Sequence, residues 1–151
     1  MENSPRTRWL AFVYAATIFT SAFLLFQIQP MVSKAILPWF GGTPAVWTTC
    51  LLFFQSLLFA GYAYAHFSNT WLPRSRQALL HIALLIVALI CLRVLPSQNL
   101  QPQGDGDPTR QILAMLALTI GLPYFVLSAT GPLLQAWFAH SFPGRTPYRL
   151  Y

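Results

Sequence analysis

Six polar residues lie within or beside long apolar stretches, and they are the first candidates for binding a ligand: Lys34, Gln27, Gln29, Gln55, Ser128 and Gln135. A polar side chain in hydrocarbon usually turns toward the interior of a helix bundle, where it finds a partner. The amides and the hydroxyl therefore line a polar cavity or, alternatively, hydrogen-bond neighbouring helices. Lys34 stands alone among apolar residues, so it faces an anion in a cavity or extends its ammonium group to lipid headgroups.

Other residue types that support chemistry are few. The histidines His66, His81 and His140 are expected near one membrane face, but they lack the spacing of metal or haem ligands, so no metal site and no cofactor is predicted. Cys50 and Cys91 lie in apolar runs and are expected to be small buried side chains, with a disulfide between them as the alternative. No phosphate-binding loop, nucleophile elbow or catalytic carboxylate pair is present, which predicts that the chain alone is not an enzyme.

The elements that carry these residues are predicted from four apolar runs. The composition is 56% hydrophobic and 8% charged, far fewer charges than a soluble domain carries. Runs of about twenty apolar residues indicate transmembrane helices. We predict a single all-α membrane domain, a polytopic bundle with about four transmembrane helices over residues 9–28, 45–66, 78–95 and 111–128.

Two segments of this bundle are expected to be irregular. The connection from residue 29 to 44 is too apolar for an ordinary loop, which predicts an interfacial or re-entrant segment. The run from 112 to 139 would span about 40 Å as one straight helix, against a hydrocarbon core of about 30 Å. Breaks are therefore expected at Pro123 and over 128–132. A short amphipathic or re-entrant helix should follow over 132–140.

The charged residues predict the orientation. The net charge is +6, but the nine Lys and Arg are dispersed at the ends of the apolar runs, so they indicate a bilayer partner and no nucleic acid. One group of arginines, at 6, 8, 74, 76, 145 and 149, falls on one side, and Lys34, Arg93 and Arg110 fall on the other. The positive-inside rule places both termini in the cytoplasm and the loop from 96 to 108 outside.

Several stretches carry a resemblance to a known family. They are LPWFGGTPAVWTTC at 37–50, GYAYAH at 61–66, LSATGPLLQAWF at 127–138 and PYRLY at 147–151. They resemble the membrane-embedded N-terminal half of bacterial spermidine-synthase-like integral membrane proteins, also described as fused major-facilitator and spermidine-synthase proteins. Members of that family continue past Tyr151 into further spans and an aminopropyltransferase-like domain, so the resemblance implies a truncated membrane half without aminopropyl transfer.

The resemblance implies a protein of the bacterial inner membrane with a transporter-like module that binds or passes a small polar or cationic metabolite. The alternative is a structural or assembly subunit that pairs with further helices or with a separately encoded cytoplasmic Rossmann domain. A homo-oligomer or an additional membrane subunit is the expected partner. The two functions differ in one observable, because a transporter core should bring Gln27, Gln55 and Lys34 to one water-accessible cavity.

Overall fold

The computed structural model describes residues 5–92 and 106–141, which contain helices and turns and no strand. The helices are α1 (Pro5–Ile36), α2 (Pro44–Trp71), α3 (Arg74–Ile90), α4 (Pro108–Leu116) and α5 (Leu122–Ser141). A π-helical turn over Ala117–Gly121 joins α4 to α5, so Pro108–Ser141 is one continuous element, called here the last helix. The predicted all-α bundle is confirmed. Arg93, Arg145, Arg149 and most of the predicted outer loop lie outside the described residues.

Three of these helices are long and apolar enough to cross a membrane, namely α1, α2 and the last helix. The remaining one, α3, has 17 residues and rises about 26 Å. Its predicted span began at 78 and ended at 95, whereas the helix begins at Arg74 because Pro73 provides the extended residue before it. The predicted end at 95 is wrong, because α3 ends at Ile90 and the next two residues, Cys91 and Leu92, are not helical.

The connection between α1 and α2 is shorter than expected. Most of the segment predicted to be interfacial or re-entrant is helical, because α1 continues through Pro30 to Ile36 and is followed by a 3₁₀ turn over Leu37–Phe40. Val32 and Ile36 are completely buried against the other helices, and this packing outweighs the one backbone hydrogen bond that Pro30 removes. Only residues 41–43 remain between the elements, with Gly41 and Gly42 at positive φ.

The last helix is not broken where breaks were expected, and contains a π-helical turn instead. Neither Pro123 nor Pro132 ends it, and the separate segment predicted over 132–140 is the final part of α5. The π-helical turn directly before Pro123 adjusts the backbone locally, which is how transmembrane helices accommodate proline. The hydroxyl of Thr130 donates to the carbonyl of Val126 at 2.9 Å near the second proline. Packing against α1, α2 and α3 then holds the helix continuous.

The last helix is the centre of the bundle, since α1, α2 and α3 all pack against it. One apolar cluster lies where α1 ends and the last helix begins, and includes Phe54, Leu116 and Ile120, none of them accessible. A smaller cluster lies toward the opposite end and consists of Ala65, Ala129 and Leu133. The buried polar residues described next lie beside this smaller cluster.

Candidate functional site

A buried hydrogen-bond network joins α2, α3 and α5 beside the smaller core cluster. The indole Nε1 of Trp137 donates to Gln77 Oε1 at 2.7 Å, and Gln77 Nε2 donates to Ser68 Oγ at 3.2 Å. Ser68 in turn donates to the carbonyl oxygen of Ala65 at 3.2 Å. The side chain of Gln77 is entirely buried. Because the indole can only donate, it fixes the orientation of the amide and hence the direction of every bond in the chain.

A second buried pair continues the network along α3. His81 Nε2 lies 3.2 Å from Thr130 Oγ1, and the only proton of that hydroxyl goes to the carbonyl oxygen of Val126. The hydroxyl must therefore accept from His81, which places the imidazole proton on Nε2. Nδ1 is then a bare acceptor, and it is buried with no partner among the described residues.

Tyr64 brings a second unpaired atom to the same place. Its hydroxyl is buried with no partner in the described part of the chain, and its ring stacks on His81 with centroids 6.1 Å apart and planes inclined by 23°. Among the described residues, the unpaired acceptor is His81 Nδ1 and the unpaired donor is the Tyr64 hydroxyl. Buried polar groups of this kind commonly form hydrogen bonds with ordered water. The arrangement can hold three helices together and immobilise small polar molecules, and its two aliphatic hydroxyl groups, on Ser68 and Thr130, both donate to backbone carbonyls.

The sequence analysis does not predict this network, because Gln77 lies one residue before the predicted third span. A signal was present. Gln77 and His81 are four residues apart, a spacing that places both on one face of α3. Two polar residues on one face of an otherwise apolar helix indicate a polar contact with a neighbouring helix.

Two of the six predicted binding residues meet in a small cavity among α1, α2 and α5. Ser128 and Gln135 line this space of about 60 Å³ together with Ser21 and Tyr62. The Ser128 hydroxyl donates to the carbonyl oxygen of Phe125 at 2.7 Å and also lies 3.4 Å from the carbonyl oxygen of Leu57. The volume suffices for a few water molecules or a small ion, but not for a polyamine chain.

The other four predicted residues are dispersed. Gln27 lines a large apolar groove between α1 and α3, while Lys34 and Gln55 are exposed and do not line it. Gln29 is half-buried, and its backbone carbonyl accepts a hydrogen bond from Ser33 at 2.7 Å. The residues expected to converge on one cavity in a transporter core therefore face at least two different surroundings.

The residues considered as metal or disulfide candidates are also apart. His81 is buried, whereas His66 and His140 are exposed, and within residues 5–92 and 106–141 no cluster of His, Cys, Asp or Glu is suited to a metal. Cys50 and Cys91 are both free thiols. The prediction of a buried cysteine is confirmed for Cys50 and wrong for Cys91, which lies exposed just after α3.

These features define the class of protein as an all-α helical bundle with three helices long and apolar enough to span a membrane. Comparison with protein-family models, with curated proteins and with solved structures finds no match to this chain. The resemblance to spermidine-synthase-like membrane proteins consequently stays a prediction.

Proposed function

We propose that this chain is a non-catalytic membrane subunit that assembles with a second copy of itself through one exposed face of α2. Seven residues form this face, called the α2 seam: Thr48, Leu52, Gln55, Phe59, Tyr62, His66 and Asn69. All seven are exposed, and they are separated alternately by four and three residues. This spacing keeps a row of side chains facing a partner helix along the whole length of α2.

Gln55 is the observation that carries the proposal. It lies close to the middle of a 28-residue apolar helix, at the depth of the hydrocarbon core, and its side chain faces away from the bundle. An amide exposed to lipid tails has no hydrogen-bond partner, and this is costly. A partner helix that supplies one removes that cost, and such bonds contribute about 0.6–2 kcal/mol each.

The chemistry of the amide favours a second copy as the partner. Copies inserted with the same topology place their α2 helices parallel around a two-fold axis, so each seam residue meets its own counterpart. A glutamine amide both donates and accepts, and two facing Gln55 side chains can therefore bond each other reciprocally. A charged residue at this position would instead repel its counterpart.

The orientation in the membrane is part of the same proposal. Arg8, Arg74 and Arg76 lie at one end of the bundle, and Lys34 and Arg110 lie at the other. If α3 crosses the membrane together with the three longer helices, the chain crosses four times. The start of α1 and the end of the last helix then lie on the same side of the membrane. The positive-inside rule makes that side the cytoplasm, and the membrane is then the bacterial inner membrane implied by the resemblance.

A transporter-like role is the second candidate, supported by the small cavity that Ser128 and Gln135 share. It is the weaker candidate, because Gln27 lines an apolar groove while Lys34 and Gln55 face outward. A flux assay in proteoliposomes with polyamines, comparing wild type and Lys34→Ala, tests it. Absence of flux for every polyamine would remove polyamine transport from consideration.

Self-association through the seam is tested by replacing Gln55 with leucine, which has a similar volume but no amide. Two reciprocal bonds at about 0.6–1.7 kcal/mol each predict a dimer weakened by about 1–3 kcal/mol, or roughly 5- to 150-fold in dissociation constant. Energy transfer between labelled copies in liposomes measures this constant. Gln27→Leu is the matched control, since Gln27 is also exposed but lies on α1.

Cysteine cross-linking locates the interface independently. In a background without native cysteines, Phe59→Cys on the seam should form a disulfide between copies. Phe67→Cys, exposed on the same helix but off the seam, should form little. A protein that stays monomeric in liposomes, or one that cross-links equally well through both positions, contradicts assembly through the seam.

A further inference from the structure

A second surface, distinct from the α2 seam, suggests a ligand. A groove of about 480 Å³ runs between α1 and α3, with the last helix as its floor. Its walls include Leu24, Gln27 and Met31 from α1 and Leu85 and Leu89 from α3, and Pro123 lies on the floor. We call it the α1–α3 groove. Of the residues in 5–92 and 106–141 that line it, Gln27 is the single polar one.

The packing of the helices explains why this space is open. Both α1 and α3 pack against the last helix, yet they have almost no contact with each other. The small side chain of Ala88 faces the groove at the position where a larger residue would fill it. Several wall residues are substantially exposed, among them Leu24 at 41% and Leu89 at 72%. The groove is therefore accessible from the surface that faces lipid.

The size and the lining of the groove fit an acyl chain. Its α1 wall extends from residue 24 to residue 31, about 10 Å along the helix axis. A volume of 480 Å³ is in the range of pockets that enclose small ligands. Flexible apolar chains fit such a short and almost entirely apolar groove.

Charge at one end of the groove selects the headgroup. Lys34 lies seven residues after Gln27 and three after Met31, so it extends the same face of α1 by about one turn beyond the groove. Its side chain is exposed. The single carboxylate among the described residues is Asp107, which lies 3.8 Å from Arg110 Nε, so the described part of the chain offers Lys34 no anion.

We propose that the α1–α3 groove is a binding site for an anionic glycerophospholipid, with one acyl chain in the groove and the phosphate beside the ammonium group of Lys34. Lysine is a common phosphate ligand, acting as a point charge. This site does not depend on the proposed self-association.

Native mass spectrometry of the full chain in detergent, titrated with phosphatidylglycerol or phosphatidylcholine of identical chains, tests the site. Wild type should bind phosphatidylglycerol about fivefold more tightly, the contribution of one lysine to an anionic lipid surface. Lys34→Gln should abolish this preference while retaining binding of the chain. Glycerol phosphate, which carries the headgroup without chains, should not compete.

A second experiment fills the groove with a larger side chain. Leu85→Trp places a bulky side chain in the groove and should weaken phosphatidylglycerol binding at least tenfold. Ile86→Trp is the matched control, because Ile86 is exposed on the same helix but does not line the groove. Both sites are exposed, so neither tryptophan disturbs the core. Equal affinities for the two lipids in wild type overturn the proposal, as do equal effects of the two tryptophans.

Two further outcomes distinguish a bound lipid from other occupants of the α1–α3 groove. Gln55→Leu should leave lipid binding unchanged even where it produces a monomer, which distinguishes failure of the lipid site from failure of the seam. If Leu85→Trp instead abolishes cross-linking through Phe59→Cys, the groove is a protein interface and the lipid assignment is overturned. Effective competition by glycerol phosphate would assign the affinity to the headgroup alone and would also overturn it.

Discussion

Gly61 is the position at which the contact between α2 and α5 is most sensitive to a single added atom. A Cβ built on Gly61 collides with the Ser128 hydroxyl oxygen and lies 3.0 Å from both the carbonyl oxygen of Phe125 and the Cβ of Ser128. Side-chain rotation can move the hydroxyl, but it cannot move a backbone carbonyl. Gly61→Ala therefore forces α2 and α5 apart where Gly61 is buried between them.

The magnitude follows from the cost of overpacking. Inserting one methyl group into a close-packed site costs about 1–3 kcal/mol. Alanine is the better helix former by up to about 1 kcal/mol, which offsets part of that cost. We expect Gly61→Ala to lower the free energy of unfolding by about 1–2 kcal/mol. Removing the closest obstacle with Ser128→Ala in the same chain should recover part of the loss, because the Phe125 carbonyl remains.

The assay is unfolding of the protein from mild-detergent micelles by added dodecyl sulfate, followed by tryptophan fluorescence. Gly131→Ala in α5 is the matched control, since a Cβ at Gly131 meets no atom within 4 Å. The control should be neutral or slightly stabilising. If Gly61→Ala unfolds at the same dodecyl sulfate fraction as Gly131→Ala, the close approach of α2 and α5 at this position is refuted.

Three further predictions concern the buried network, the thiols and the orientation. Trp137→Phe removes the donor to Gln77 Oε1 and should cost about 1–3 kcal/mol in the same unfolding assay, because it leaves a buried acceptor unpaired. Cys91 should react with N-ethylmaleimide in the folded protein, and Cys50 only after unfolding. Ser75→Cys, at the start of α3, should react with a membrane-impermeant maleimide from the cytoplasmic side alone.

Each of these outcomes has a control. Trp71→Phe changes an exposed indole and should leave stability unchanged, so an equal loss for both tryptophans would show that the Gln77 contact is not responsible. Equal rates for the two thiols in the folded state would contradict the burial of Cys50. Labelling of Ser75→Cys from the periplasmic side would reverse the proposed topology.

The number and order of the helices were largely predictable from the sequence, whereas the residues at which they begin and end were not. The four apolar runs correspond to four helical elements in the order expected. The breaks expected at Pro123 and over 128–132 did not form, and the first helix continued through Pro30, so all three prolines lie inside helical stretches. Proline removes one backbone hydrogen bond, and burial of Val32 and Ile36, or of the last helix among three neighbours, outweighs that loss.

The candidate sites were predicted less well, and two glutamines illustrate the reason. Gln55 is the more central in its helix and was expected to face a cavity, yet it is exposed. Gln77 precedes the predicted span and is completely buried between three helices. Sequence alone gives each the same chemistry. Their surroundings are opposite because Gln55 lies on the outward face of α2, whereas Gln77 lies on the face of α3 that contacts α2 and α5.

By itself, the sequence determined that this is an all-α membrane protein, since apolar runs of about twenty residues must satisfy their own backbone hydrogen bonds in lipid and do so as helices. Only the tertiary structure decided which face of each helix is buried. Lipid tails are as apolar as a leucine side chain, so an apolar helix carries no periodic pattern that marks its interior face. The Gln77 network, the exposed α2 seam and the α1–α3 groove all arise from that choice of faces.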